Sequence, residues 1–260
     1  MDDLLKGLLY FLFFILGVII FSFVNMIIYK LPEKKVFAKE KSACRACGHE
    51  LAFKDLIPVI SWICLKGKCR YCGAKISVRD LVVELLGGAF AVGLTAYYGI
   101  GLKALTIFLF FAMLTIVTCI DMDTMEIPFV LNVIILVLGI ISIWTVGGVS
   151  ILERIIGLFC ISLPLFLIVL VIPEGFGGGD IKLMFAAGMF LGWKATVVAF
   201  LIGLLLGGGY GVVCLIRRKH GKKDHFAFGP FLSVGLAIAV FCGTQLMDMY
   251  LEFLKMSFTV

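Results

Sequence analysis

Charge is scarce in this sequence: 15% of its 260 residues are Asp, Glu, Lys or Arg, while 62% are hydrophobic and the mean hydropathy is +1.14. One soluble core could not hide so much apolar surface, so that class is excluded and an all-α polytopic membrane protein is expected. Histidine is scarcer still. The three present, His49, His220 and His225, fall in polar loops with no nucleophile beside them in sequence, so neither Ser-His-Asp nor Cys-His chemistry is evident. A glycine-rich strand-turn-helix fingerprint is also missing, so composition and spacing reveal no methyl-donor pocket. The first apolar run, residues 8–28, lacks a small-residue exit and is too long for a signal h-region; a first span is expected there, not a cleaved signal.

Long apolar runs dominate what is there. Measured against the ~20 residues that a crossing needs, they predict eight spans, at 7–29, 81–98, 102–120, 127–146, 151–172, 181–192, 195–216 and 228–246. The sixth is short and follows a run of glycines. Twelve Lys or Arg residues fall between the first two spans, in 30–80, and Arg217, Arg218, Lys219, Lys222 and Lys223 form a second basic cluster between the last two. Eight crossings put both clusters on one face, and the opposite face receives only Lys6, Lys103, Arg154, Lys194 and Lys255. The positive-inside rule makes the basic face cytoplasmic with both termini outside. It also accounts for the net charge of +6 without a nucleic-acid partner.

Two acids then stand out. Asp180 follows Gly177-Gly178-Gly179 at the mouth of an apolar segment, where a carboxylate is costly unless paired, protonated or wetted. Asp121 closes the third span, so counting crossings brings both acids to the same cytoplasmic depth. A pair of carboxylates brought together there would share a proton, one member taking a proton from water and the other polarising a carbonyl. The bland alternatives are an N-cap for Asp180 and a solvated turn for Asp121, Asp123 and Glu126, with Pro128 in the first turn of the next helix. Asp121 and Asp123 are two residues apart on a helix, so at most one of them faces Asp180.

Cys44-Arg45-Ala46-Cys47 and Cys69-Arg70-Tyr71-Cys72 form two CxxC pairs, close to the spacing with which four thiolates enclose a tetrahedral zinc. A reducing cytoplasm disfavours structural disulfides, and a redox couple would need only one pair, so zinc is preferred over thiol exchange. Cys64 is off-pattern, and Cys119, Cys160, Cys214 and Cys242 sit in spans. The polar segment 30–80 has too little core to fold alone, so a metal would supply folding energy.

The stretch Cys119 to Pro128, with its Ile-Asp-Met-Asp, and Gly177-Gly178-Gly179-Asp180-Ile181-Lys182 resemble the two aspartate motifs of type IV prepilin peptidases, membrane aspartic proteases of the GxGD class. Ser22-Phe23-Val24-Asn25, Tyr29-Lys30-Leu31-Pro32, Ile57-Pro58-Val59-Ile60-Ser61-Trp62, Ile76-Ser77-Val78-Arg79, Val83-Glu84-Leu85 and Phe228-Gly229-Pro230-Phe231 resemble further blocks in family order. Phe21, where the family usually has glycine, and Phe129, where an acid or amide is common, depart from the pattern. The resemblance implies Asp121 and Asp180 as the catalytic pair. It further implies cleavage of prepilin or pseudopilin leaders after a glycine at the cytoplasmic face of the bacterial inner membrane, and N-methylation of the new terminus with S-adenosylmethionine. Glu84 and Asn25 are expected to line the methyl-donor site, the competing expectation being that they satisfy neighbouring helices. The implied division is a first helix (1–29), a cytoplasmic cysteine domain (30–80) and a peptidase part (81–260). A peptidase without methyl transfer, a transporter with a zinc loop and a membrane thiol oxidoreductase are the rival readings. A transporter would need neither the cysteine pairs nor both acids at one depth.

Overall fold

The computed structural model describes residues 3–33, 43–172, 176–216 and 226–258. The second basic cluster, His220, His225 and residues 173–175 of the glycine-rich turn lie outside the described residues, as do Lys34, Lys35, Lys39 and Lys41. Among the described residues the chain is helical, with no strand and only two isolated bridges, Ala43 with Glu50 and Lys68 with Lys75. In chain order the helices are α1 (Asp3–Lys30), α2 (Ile60–Cys64), α3 (Val78–Tyr98), α4 (Leu102–Thr124), α5 (Phe129–Thr145), α6 (Ile151–Cys160), α7 (Ser162–Val171), α8 (Gly178–Ile216) and α9 (Gly229–Phe258). Among the described residues six helical stretches are long and apolar enough to cross a membrane, with α6 and α7 counted together, and α5 is a shorter apolar helix.

The count of six differs from the eight expected for two local reasons: α5 is short, and the runs read as the sixth and seventh spans fall within α8. α8 is not straight: Gly192 has φ 75° and ψ 167°, which breaks the helix between the runs read as the sixth and seventh spans. Only glycine adopts that backbone cheaply, and a Cβ there would also stand 2.6 Å from Val149 Cγ1. Other boundaries follow ordinary capping. Ser150 opens α6 with a capping box, its hydroxyl accepting from the Glu153 N–H at 3.2 Å while its own N–H donates to Glu153 Oε2 at 2.9 Å. Pro164, in the first turn of α7, has no N–H to continue the ladder from α6, which accounts for the break at Ile161. Pro128 is the N-cap of α5, one position before the expected first turn.

The chain divides into two compact units, Met1–Phe108 and Leu109–Val260, with the boundary inside α4. In the first unit α1 packs along α3. Gly17 meets the backbone of Gly87 and the side chain of Ala91, so the two helices approach at backbone contact. Phe21, the departure noted above, is fully buried, and a Cβ on Gly87 would collide with its ring. The volume gained at position 21 is accommodated by its absence at position 87.

In the second unit α8 packs against α5, α6 and α9. Gly157 of α6 and Gly188 of α8 press backbone on backbone, and Gly235 of α9 seats against the Ala199 carbonyl. Arg154 corrects the count of surface charges. It is fully buried, donating to Ser142 Oγ at 2.5 Å and to the carbonyls of Met189 (2.9 Å), Phe190 (3.0 Å) and Ser142 (3.2 Å). Met189 and Phe190 lie just before the Gly192 break, where the helix leaves carbonyls without an i+4 partner. A guanidinium fills that role and meets the negative end of the helix dipole.

Candidate active site and metal centre

In the second unit, α4 ends with Asp121 on its buried side, 5% exposed, while its neighbours Met122, Asp123 and Thr124 are exposed. This matches the two-residue spacing argument: Asp121 faces inward and Asp123 does not. α8 begins with Asp180, 7% exposed. The two carboxylates lie within Coulombic range of each other. Asp121 Oδ2 accepts a hydrogen bond from the backbone N–H of Gly229 at 2.8 Å. Gly229 is the first residue of α9, so that N–H is one of the helix's orphan donors and the carboxylate acts as its cap. The backbone N–H of Asp180 donates to the Gly177 carbonyl at 3.1 Å, and the missing side chain of Gly177 matters because a Cβ would sit 3.0 Å from Asp180 Oδ2. Gly179 abuts Ile127, with 3.0 Å from a would-be Cβ to Ile127 Cβ, so the start of α8 is pressed onto the turn before α5. Lys182 turns away from the pair, its Nζ 5.5 Å from the centroid of Phe129.

In the sequence Gly229 stands out only as part of a resembling block; the local signal for its role is a glycine before a proline at a helix start, a place that leaves an amide free. The amide of Asn132 and the hydroxyl of Ser233, each 4% exposed, have no hydrogen-bond partner among the described residues.

In the first unit the four cysteines converge. The Sγ atoms of Cys44, Cys47, Cys69 and Cys72 all lie within 4.8 Å of one another, and Cys44 and Cys72 are 3.8 Å apart. Tetrahedral zinc–thiolate bonds of ~2.3 Å place sulfurs about 3.8 Å apart, so the set fits a zinc ion. The two CxxC-Gly loops are built alike. In each, the first cysteine's carbonyl accepts from the glycine N–H four residues on, Gly48 at 2.7 Å and Gly73 at 3.0 Å, with φ of 71° and 72°. An isolated bridge closes each loop. The N–H groups of Cys47 and Ala46 pull the Cys44 thiol down to about 6, so thiolate is available at neutral pH. Cys64 is outside the cluster, and His49 stacks on Tyr71 with ring centroids 3.7 Å apart. Beside the cluster, the Arg70 guanidinium, 2.6 Å from Asp55, holds that carboxyl below its usual range.

Asn25 and Glu84 are both buried, on the facing helices α1 and α3. Asn25 Nδ2 donates to the Asp80 carbonyl at 2.9 Å, and Glu84 Oε2 accepts from the Val59 N–H at 2.7 Å. The Tyr29 hydroxyl donates to the Asp80 carboxylate. Both residues satisfy neighbouring backbone, as one expectation had it, and both also line a cavity of about 400 Å³ between the helices and the cysteine loops.

A helical membrane protein with a four-thiolate centre and two buried acids at helix ends is a narrow class, and comparison with known proteins narrows it further. Residues 15–98 match the bacterial peptidase A24 N-terminal domain and residues 108–212 match the type IV leader peptidase family. The chain is 33% identical, over 88% of its length and 84% of the relative's, to a Burkholderia pseudomallei protein named prepilin leader peptidase/N-methyltransferase. Proteins of the same name from Aeromonas hydrophila and Pseudomonas aeruginosa are 31% and 29% identical, over 96% and 92% of this chain and 97% and 92% of theirs. The chain belongs to the type IV leader peptidase family. No solved structure gives a significant match.

Proposed function

We propose that this protein is a membrane aspartic endopeptidase that removes the leader of prepilin-like proteins and N-methylates the new amino terminus. The observation that carries the peptidase half is the pair of buried carboxylates, Asp121 at the end of α4 and Asp180 at the start of α8, within Coulombic range, with Asp121 held by a backbone N–H. In this reading one carboxylate accepts a proton from water as its oxygen attacks the scissile carbonyl, while the other donates a proton to the carbonyl oxygen. The tetrahedral species collapses as a proton passes to the departing amine. The Gly229 N–H fixes Asp121, and the bare backbone of Gly177 leaves room for the Asp180 carboxylate.

The rest of the reading concerns placement and cofactors. The four cysteines hold zinc, which stabilises the loop they cross-link. S-adenosylmethionine supplies an electrophilic methyl group when bound, with Asn25 and Glu84 at its site. Eight crossings, with α8 counted twice across its Gly192 break and α5 as a short span, put both aspartates at the cytoplasmic face of the inner membrane, where a prepilin's polar-to-apolar junction would lie. The peptidase part is 81–260, with α3 also walling the first-unit cavity. Incubating the purified protein in detergent with a prepilin tests the reading: the wild type shortens it, and Asp121→Asn and Asp180→Asn do not. Undiminished cleavage by either variant removes the dyad.

A further inference from the structure

A few close contacts fix how the helices of the second unit line up. Phe110 of α4 stacks on Phe190 of α8, with ring centroids 4.1 Å apart. From that stack a buried stripe of Phe110, Leu114, Val117 and Asp121 runs to the end of α4, and one of Phe190, Ala187, Leu183 and Asp180 runs back to the start of α8. α5 lies along α8 in the same direction, because Ile127 meets Gly179 and, further on, Gly139 meets Met189 and Phe190. The buried stripe of α5 contains Asn132, Ile135, Gly139 and Ser142. Asn132 stands two turns before Gly139, which brings it level with Lys182 and Leu183 and within one helical turn, ~5 Å of rise, of Asp180. Neither its Nδ2 nor its Oδ1 has a hydrogen-bond partner among the described residues, although the side chain is buried. An amide left open at both ends is costly at such a place, and a leucine of similar shape would avoid that cost.

We propose that Asn132 is a substrate-positioning residue, its amide pairing with the backbone N–H and C=O of one extended substrate residue beside the scissile bond. This deepens the peptidase half of the proposed function and rests on it. In that reading the bond to be cut lies where a polar leader joins an apolar segment, and the backbone there must be drawn out straight to reach the acids. Extension frees N–H and C=O groups at a depth where water is scarce, so each needs a partner from the protein. A primary amide offers a donor and an acceptor side by side. That is the complement of an extended residue, whose own N–H and C=O point the same way, as they do across a narrow antiparallel pair. Asp121 and Asp180 are about as buried as Asn132, so a parting of helices that admits a peptide to the acids also uncovers the amide. The neighbouring Lys182 turns towards Phe129, which leaves the amide as the polar group nearest to Asp180 on that side of α5.

The test is steady-state cleavage of a purified prepilin by the full-length protein in detergent, comparing wild type with Asn132→Leu. KM should rise about tenfold while kcat stays within a few-fold of wild type, because the lost contacts hold bound substrate and not the reacting atoms. The unfolding temperature should hold or rise, since leucine strands no polar group. Asn132→Ala carries the same kinetic criterion should the leucine variant fail to fold. A KM equal to that of the wild type in a folded variant overturns the proposal and leaves the peptidase reading standing. So does a fall in kcat at unchanged KM, which would place the amide at the reacting atoms. A wild type that leaves prepilin uncut removes the peptidase reading, and this inference with it.

Discussion

The backbone N–H of Val59 donates to Glu84 Oε2 at 2.7 Å, although Val59 is a β-branched residue held at φ 61°. That conformation is a true outlier for valine, of the sort that persists only where surrounding contacts over-determine it. Glu84 is one such contact, tying the start of α2 to α3. Replacing Glu84 with Ala strands the N–H and should cost about 1–3 kcal/mol, read as a lower unfolding temperature in detergent. Val59→Gly removes the strain and should recover part of that loss in the same background. No recovery would mean that the strain is not held by this bond.

The Gly229 amide and the Asp121 carboxylate make the next prediction. A Cβ at Gly229 would stand 2.7 Å from Asp121 Oδ2, so Gly229→Ala must push the carboxylate from its place. Displacement of a catalytic group by about 1 Å can cost ~100-fold, so prepilin cleavage should fall by one to two orders of magnitude with the fold retained. Asp123→Asn, on the exposed side of α4, should leave the rate within a few-fold of wild type; a loss matching that of Asp121→Asn would count against the assignment of the pair.

For the cysteine centre, zinc content measured by mass spectrometry should be one per chain, dropping sharply in Cys44→Ser or Cys72→Ser, while Cys64→Ser retains it. Hydrogen bonds from the N–H groups of Cys47 and Ala46 draw the Cys44 thiol down to about 6, while hydrogen bonding to its neighbours Cys47, Cys69 and Cys44 and burial push the Cys72 thiol up to about 11. Thiolate ligation displaces protons, so zinc affinity should weaken as the pH is lowered from 7. A zinc affinity that does not change with pH would contradict a thiolate site.

Arg154 should be indispensable to the second unit even though it touches neither acid. Arg154→Ala removes a donor from the carbonyls of Met189 and Phe190 before the Gly192 break and from Ser142, whose carbonyl keeps the Val146 N–H, and should destabilise by about 2 kcal/mol. Arg154→Lys should rescue little, because a single ammonium cannot span the fork that reaches Ser142, Met189 and Phe190. A lysine variant as stable as wild type would show the charge alone to be sufficient.

Much of the site was legible because the relevant signals are local. Asp180 after three glycines, Asp121 at the end of an apolar run and two CxxC pairs each announce themselves within ten residues, and the helices follow from apolar runs and caps. What could not be read depends on contacts between distant segments. Gly229 reaches Asp121 across 108 positions, and Arg154 was counted with the charges of the non-cytoplasmic face because its acceptors lie far off in sequence, on α5 and α8. The count of crossings was obscured at Gly192, where a break in one helix and a turn between two helices leave the same trace of glycine and polar residues.

The sequence by itself determined the solvent of this protein, its helices, its four paired cysteines and the two acids proposed as the site, because hydrocarbon tolerates so few ionisable groups that each one left is informative. Only the tertiary structure decided which of Asp121 and Asp123 turns inward beside Asp180, what holds it there, and that α1, α3 and the cysteine loops enclose a cavity. Those outcomes depend on helix rotation and on backbone approach through glycines, and both are set by packing between segments that no stretch of sequence contains.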